Sequence, residues 1–128
     1  MRKKIVLDAS AWIEYLVGSD KGMQVAKHIR EKQPVMNSIN LMEVCVYALR
    51  KGLNDEKIFR DTLQQVYVIG LTGQESIHAA RLYFKAVEKQ SKLSYADAIA
   101  LTTADELKTT LITCDNDFSG IKQAVVIR

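Results

Sequence analysis

The chain has 128 residues, 48% of them hydrophobic and 26% charged, with a net charge of +3. That length builds one domain with a real core rather than two, and the balance is that of a soluble globular protein, not of a disordered or fibrous one. The mild basicity permits a nucleic-acid partner without requiring one.

Behind Met1-Arg2-Lys3-Lys4 the apolar run Ile5-Val6-Leu7 is far too short for a signal-peptide core or a bilayer span. The expected setting is therefore the cytoplasm, with no membrane partner. The run is β-branched enough to be a buried strand, and it ends abruptly in Asp8, with Ser10 two residues on. Ala9 to Val17 carries Trp12, Ile13 and Leu16 at helical spacing, and Gly18-Ser19-Asp20 breaks it. Lys21 to Lys32 reads as a second amphipathic helix with Val25, Ala26 and Ile29 inward. Pro34 opens a short strand, Val35-Met36, which Asn37-Ser38 ends. Asn40-Leu41-Met42-Glu43 leads into a buried helix closed by Lys51-Gly52, and Asn54-Asp55-Glu56 starts another that reaches about Gln65. Val66 to Ile69 is a third strand. Thr72-Gly73-Gln74-Glu75 has the pattern of a capping box. It begins a long helix with Ile77, Ala80, Phe84 and Val87 on one face; Arg81, Lys85 and Lys89 line the rest, and Lys92 follows. Ser94-Tyr95-Ala96-Asp97 opens a small-residue helix to Leu107. Thr110 to Cys114 is a fourth strand, ending at Asp115-Asn116-Asp117-Phe118, and Gly120 turns the chain into a last strand, Ala124 to Ile127. Cys45 and Cys114 lack CxxC spacing and read as reduced core thiols. His28 and His78 lack metal-ligand spacing, and Tyr47, Tyr67, Tyr83 and Tyr95 are expected to be core or half-buried.

Strands alternating with helices predict an α/β domain over residues 1–128, a three-layer α/β/α sandwich around a mainly parallel sheet of about five short strands. Right-handed crossovers put the strand C-termini on one edge, where ligands collect in such sheets. Asp8 and Asp115 end strands there, and Glu43 and Asp97 lie in helix first turns that face the same edge. Each acid also has a structural reading: Asp8 as a helix cap, Glu43 and Asp97 as the acidic halves of capping boxes with Asn40 and Ser94, Asp115 and Asp117 as turn residues. Together they ask for more. Four carboxylates aimed at one cleft must hold protons at raised pKa or bind a cation. Oxygen donors without imidazole or thiolate select Mg²⁺ or Mn²⁺, and such a site suits phosphodiester hydrolysis. Basic residues on its rim would attract a phosphate backbone that the acids repel.

At this point the sequence resembles the PIN-domain ribonucleases, and within them the VapC-like toxins of toxin–antitoxin modules. The resemblance rests on Val6-Leu7-Asp8-Ala9-Ser10-Ala11-Trp12, Asn40-Leu41-Met42-Glu43-Val44, Leu93-Ser94-Tyr95-Ala96-Asp97-Ala98 and Leu111-Ile112-Thr113-Cys114-Asp115-Asn116-Asp117-Phe118, in that order and spacing. It implies a PIN-like fold and a metal-dependent endoribonuclease. Asp8, Glu43, Asp97 and Asp115 are then the catalytic acids that hold Mg²⁺ or Mn²⁺. Asp117 is a further acid touching the metal directly or through water, and Ser10 is the hydroxyl that orders Asp8. It also implies an RNA substrate, a homodimer and a small antitoxin that lays a segment, often with an arginine, into the cleft. A PIN-domain RNA-processing nuclease outside a toxin module, or a PIN-like module that only binds, fits the same residues.

Two other phosphate chemistries fit less well. An aspartyl-phosphate phosphatase of the haloacid dehalogenase type wants a second aspartate where Ser10 stands, and a receiver domain wants an acid where the third strand ends Val68-Ile69-Gly70.

Overall fold

Asp8 follows a strand that lies in the middle of a five-stranded parallel sheet. The structure, a computed structural model, describes residues 2–128. The strands are β1 (Lys4–Leu7), β2 (Gln33–Asn37), β3 (Tyr67–Ile69), β4 (Leu111–Thr113) and β5 (Ala124–Val126). The helices are α1 (Ala9–Val17), α2 (Asp20–Ile29), α3 (Ser38–Arg50), α4 (Asp55–Gln65), α5 (Gly73–Glu88) and α6 (Tyr95–Glu106), with a 3₁₀ turn at Asn116–Phe118. Strand order is β3-β2-β1-β4-β5, and every pairing is parallel. The chain leaves β1 toward β2 and β3, then returns to build β4 and β5 on the other side. This reversal makes the C-terminal ends of β1 and β4 a topological switch point, where a crevice opens in sheets of this kind.

Alternation along β1 sorts the core into two layers. Ile5 and Leu7 pack on one face with Trp12, Val25, Met36 and Val44. Val6 packs on the other with Val35, Leu101, Ala104, Leu111 and Phe118. Helices α1 to α4 supply the first layer, and α5 and α6 the second, giving the three-layer α/β/α sandwich. Trp12 is fully buried, stacks on Tyr15, and donates its indole N–H to Thr62 Oγ1 at 2.9 Å, which ties α1 to α4. The six α-helices begin at Asp8, Ser19, Asn37, Asn54, Thr72 and Ser94, each of whose side chains accepts a backbone N–H. The expected capping boxes at Thr72 and Ser94 are both formed. Asn40, by contrast, lies inside α3, because Asn37 caps that helix three residues earlier.

His78 in α5 meets Asp105 through Nε2 at 2.9 Å and Glu106 through Nδ1 at 2.8 Å, both at the end of α6. The start of α5 therefore lies beside the end of α6, and the two helices run antiparallel. The sequence leaves open which way the apolar stripe of α5 points, and the expectation for two of the tyrosines needs correction. The Ile77–Phe84–Val87 face of α5 is turned outward, with Phe84 64% exposed, and Tyr67 and Tyr95 stand in solvent rather than half-buried. Tyr83 reaches Tyr95 edge-on, so α5 meets the first turn of α6 through its tyrosine and not through that outer stripe. Cys45 and Cys114 are free and half-buried.

Gly18 closes α1 at φ 71° and lets α2 fold back on it. The return is close. A Cβ on Gly22 would sit 2.0 Å from the backbone oxygen of Glu14. Gly22→Ala is therefore expected to push α2 off α1 and cost about 3 kcal/mol, the upper part of the usual overpacking range. Thermal denaturation checks this; a melting temperature equal to that of the parent chain contradicts the close approach.

Candidate functional site

Asp8 is only 5% exposed, yet it carries a carboxylate at the head of the central strand. Its Oδ1 caps α1 by accepting the Ala11 N–H at 3.0 Å and also accepts the Ser10 hydroxyl at 2.7 Å. Its Oδ2 accepts the hydroxyl of Thr113, the last residue of β4. Those hydroxyls are themselves anchored. Ser10 Oγ accepts the Cys114 N–H at 2.9 Å, and Thr113 Oγ1 accepts the Asp115 N–H at 3.0 Å. Each hydroxyl has one proton, and both protons go to Asp8, so the 3.2 Å approach of Ser10 to Thr113 is a contact between two acceptors. The chain of bonds thus stitches the end of β1 to the end of β4 across the switch point.

The other acids are gripped by one oxygen each. Asp97 Oδ2 accepts the Ser94 N–H at 2.9 Å. Asp115 Oδ1 accepts the Asp117 N–H at 2.8 Å. Glu43 Oε1 accepts the Asn40 side-chain amide at 3.0 Å. Among the described residues no protein donor reaches Asp97 Oδ1, Asp115 Oδ2 or Glu43 Oε2, and no Lys, Arg or His nitrogen lies within salt-bridge distance of these acids or of Asp8. Capping and an open carboxylate oxygen are thus compatible at Asp97, which does both. At Glu43 the capping-box reading falls, because Asn40 is no cap and meets Glu43 side chain to side chain.

The carboxylates sense one another. Burial pushes the Asp8 carboxyl up from 3.8 to about 6; hydrogen bonds from Thr113, Ala11 and Ser10 pull the other way, and the charge of Asp97 adds to the rise. Asp97 is also raised, first by burial and then, against its bonds with Ser94, by Asp115 and Glu43. Asp97 is therefore the hub that couples to the other three. Asp117 stands exposed at the rim, outside this coupling. Burial and the nearby Asp8 charge push the Cys114 thiol up to about 11, so it stays protonated and is no nucleophile.

An all-oxygen, multiply charged set with open lone pairs and no protein counter-cation is chemistry suited to Mg²⁺ or Mn²⁺. Among the described residues no three of these side chains close tightly enough to grip one ion by themselves. Mg²⁺ does not call for three, because it keeps several waters and takes only one or two direct carboxylates. Asn40 fits the same description. It is 1% exposed, its amide is turned toward Glu43, and its Oδ1 is left buried without a donor. Flipping the amide would place that oxygen against the carboxylate, so Glu43 fixes the orientation and the orphaned atom remains.

Two residues of this network were not anticipated as functional. Thr113 carries a direct bond to Asp8 but looks in the sequence like an ordinary strand residue; its one signal is that it ends the strand two positions before Asp115. Asn40 is recognisable only through its i, i+3 relation to Glu43.

A family model described as the PIN domain matches residues 5–123. No curated protein sequence matches the chain. Among solved structures, a toxin–antitoxin complex from Klebsiella pneumoniae is 26% identical with a TM-score of 0.76, covering 97% of this chain and 98% of that one. A DNA-bound VapBC from Salmonella typhimurium is 18% identical with a TM-score of 0.73, covering 97% and 96%. VapC20 from Mycobacterium tuberculosis, described as a sarcin–ricin loop cleaving toxin, is 16% identical with a TM-score of 0.74, covering 97% and 99%. The last two likenesses bear on the fold alone.

The raised Asp8 pKa has a consequence for stability. Because the folded value of about 6 exceeds the unfolded 3.8, Asp8 favours the fold at low pH, and that contribution is lost as pH rises through about 6. The difference is on the order of 3 kcal/mol for this buried group. Asp8→Asn is expected to raise the melting temperature of the metal-free protein at pH 7, with the gain fading below about pH 4. Melting curves of both proteins in EDTA across that range check this; a variant equally destabilised at every pH contradicts it.

Proposed function

The chain belongs to the PIN-domain family, and from that premise we propose that it is a metal-dependent endoribonuclease, the toxin of a toxin–antitoxin pair. The observation that carries the reading is the way the acids are held: Asp8, Glu43, Asp97 and Asp115 are each oriented by neutral donors, and no Lys, Arg or His nitrogen of the described residues lies within salt-bridge distance of them. Asp8, Glu43, Asp97 and Asp115 would hold Mg²⁺ or Mn²⁺, with Asp117 assisting from the rim. When bound, the cation lowers the pKa of an attacking water and offsets charge developing on the phosphate.

The chain's own residues prepare that chemistry. Ser10 and Thr113 aim both of their protons at Asp8, which orients the carboxylate without cancelling its charge. Ser94 fixes one oxygen of Asp97, and the Asp117 amide fixes one of Asp115, so each presents the other oxygen in a defined place. The preorganised acids therefore need little reordering on loading.

Partners follow from exposed apolar surface. A cavity of about 620 Å³ is lined by Ala9 and Ile13 of α1, by Met42, Glu43, Val46, Tyr47 and Arg50 of α3 and by Lys51 at its end, so its wall joins an acid of the cluster to two cations that lie beyond salt-bridge distance of it. We assign this cleft to an antitoxin segment whose cationic side chain would reach Glu43, in keeping with the toxin–antitoxin complex matched at 26% identity. The outward face of α5, with Phe84 beside Tyr95 of α6, would join two copies in a homodimer.

Purified protein is expected to cleave RNA in Mn²⁺ or Mg²⁺ and to stop in EDTA. Asp97→Asn and Asp8→Asn should each lower the rate by about 10²–10³-fold or more, and calorimetry should show weaker Mn²⁺ binding in both. Cleavage that persists in chelator, or in both variants, would sink the metal mechanism.

A further inference from the structure

Eight of the twelve lysines lie along one flank of the molecule, in two adjoining cavities. The first, of about 600 Å³, opens at Asp117 on the rim of the acid cluster. Its wall is α5, the loop before α6, and the segment from Asp117 to Gln123, and it carries Lys85, Lys89, Lys92 and Lys122. The second, of about 440 Å³, lies where β1, β4 and β5 begin, on the sheet edge opposite the acids. Lys3, Lys4, Lys32 and Lys108 line it, and it shares Lys122 and Gln123 with the first.

Three features separate this tract from an ordinary solvated surface. Asp117, at its mouth, is the one acid in either lining. All eight lysines, like every other lysine of the described residues except Lys57, are without a salt bridge, so nothing in the protein neutralises the tract where they gather. Helix α5 stacks Arg81 and Lys85 four residues apart, with Lys89 at its C-cap one step further, a like-charge spacing that disfavours the helix. The linings also lack aromatic rings; their other polar groups include Ser91, Ser119, Thr109 and Gln123. Point charges and hydroxyls without stacking surfaces suit a phosphodiester backbone rather than bases.

We propose that this lysine tract is the track for the RNA backbone running from the acid site around the α5–β5 flank to the opposite edge of the sheet. The proposal rests on the reading of the acids as an RNA-cleaving site, and it assigns the substrate class: an RNA long enough to leave the cleft and follow the flank, held by its phosphates and not by its sequence. The tract also offsets the repulsion that four carboxylates exert on a polyanion.

The test is binding without turnover. Fluorescent single-stranded RNAs of 4 and 20 nucleotides are titrated in Ca²⁺ across a salt series, with the parent chain and with Lys85→Gln/Lys89→Gln/Lys92→Gln/Lys122→Gln. For the 20-mer, the quadruple variant is expected to bind at least tenfold more weakly. Its slope of log affinity against log salt should be shallower by about 3, at ~0.7 per lost phosphate contact on a single strand. The 4-mer should lose much less. The four Lys→Arg replacements should restore binding, and Lys27→Gln/Lys57→Gln, away from the tract and from the acids, should leave the slope alone; melting curves confirm that each variant folds. An unchanged slope in the quadruple variant overturns the proposal, as does displacement of the 20-mer by polyglutamate of equal charge at equal concentration, which marks a protein-binding surface. RNA bound with the expected slope but left intact in Mn²⁺ supports the tract and removes the nuclease reading instead.

Discussion

A carboxylate buried at the end of the central strand is the constraint on which the rest of the structure turns. Leaving a charge out of water is costly unless it is bonded, and Asp8 shows the cost in its raised pKa. The fold answers with position and with donors. Strand order β3-β2-β1-β4-β5 puts Asp8 at the switch point, beside the end of β4. From there Thr113 reaches it, while α1 offers the Ala11 amide and the Ser10 hydroxyl. The same arrangement sets the β1–β4 register, since Ser10 receives the Cys114 amide and Thr113 the Asp115 amide. Order at the site and pairing of two core strands are one set of hydrogen bonds.

Charge is divided across the molecule in a way that this constraint explains. The acids gather at the strand C-termini with no protein cation in salt-bridge distance, while eight lysines occupy the flank and the strand N-termini. Interspersed signs are the usual surface of a stable soluble domain. Here α4 keeps that pattern through Lys57–Asp61, while Arg81 and Lys85 of α5 have no acidic partner. The departure sits next to the acid site, where repulsion of a phosphate chain has to be overcome.

Much of the frame is legible in local signals. Gly18 and the apolar spacing around Trp12 give α1 its bounds, and the capping patterns at Thr72 and Ser94 mark α5 and α6. Alternating strands and helices yield the three-layer sandwich, and the acids can be gathered to one edge by topology alone. What escapes is what depends on distant partners. The bond from Thr113 to Asp8 spans 105 positions, and the His78 clamp on Asp105 and Glu106 joins two helices at no recognisable motif spacing. Helical periodicity also shows that Ile77, Phe84 and Val87 share a face but not that the face looks outward; tertiary packing through Tyr83, Leu82 and Ala86 decides that.

The choice of donors around Asp8 carries the final step. An arginine or lysine in place of Thr113 would satisfy the carboxylate more strongly and hold its pKa down, but it would also fill the cation's place with a fixed charge. Hydroxyls orient the carboxylate and leave its charge uncompensated. The same logic holds at Glu43, which is held by a neutral amide from Asn40, and at Asp97 and Asp115, which are held by backbone N–H groups. All four carboxylates are positioned by neutral donors. A site meant only for stability would pair at least one of them with the basic residues this chain has in excess. Withholding every one of those cations while keeping Asn40 Oδ1 buried and unpaired leaves a negative potential that a mobile divalent ion can answer.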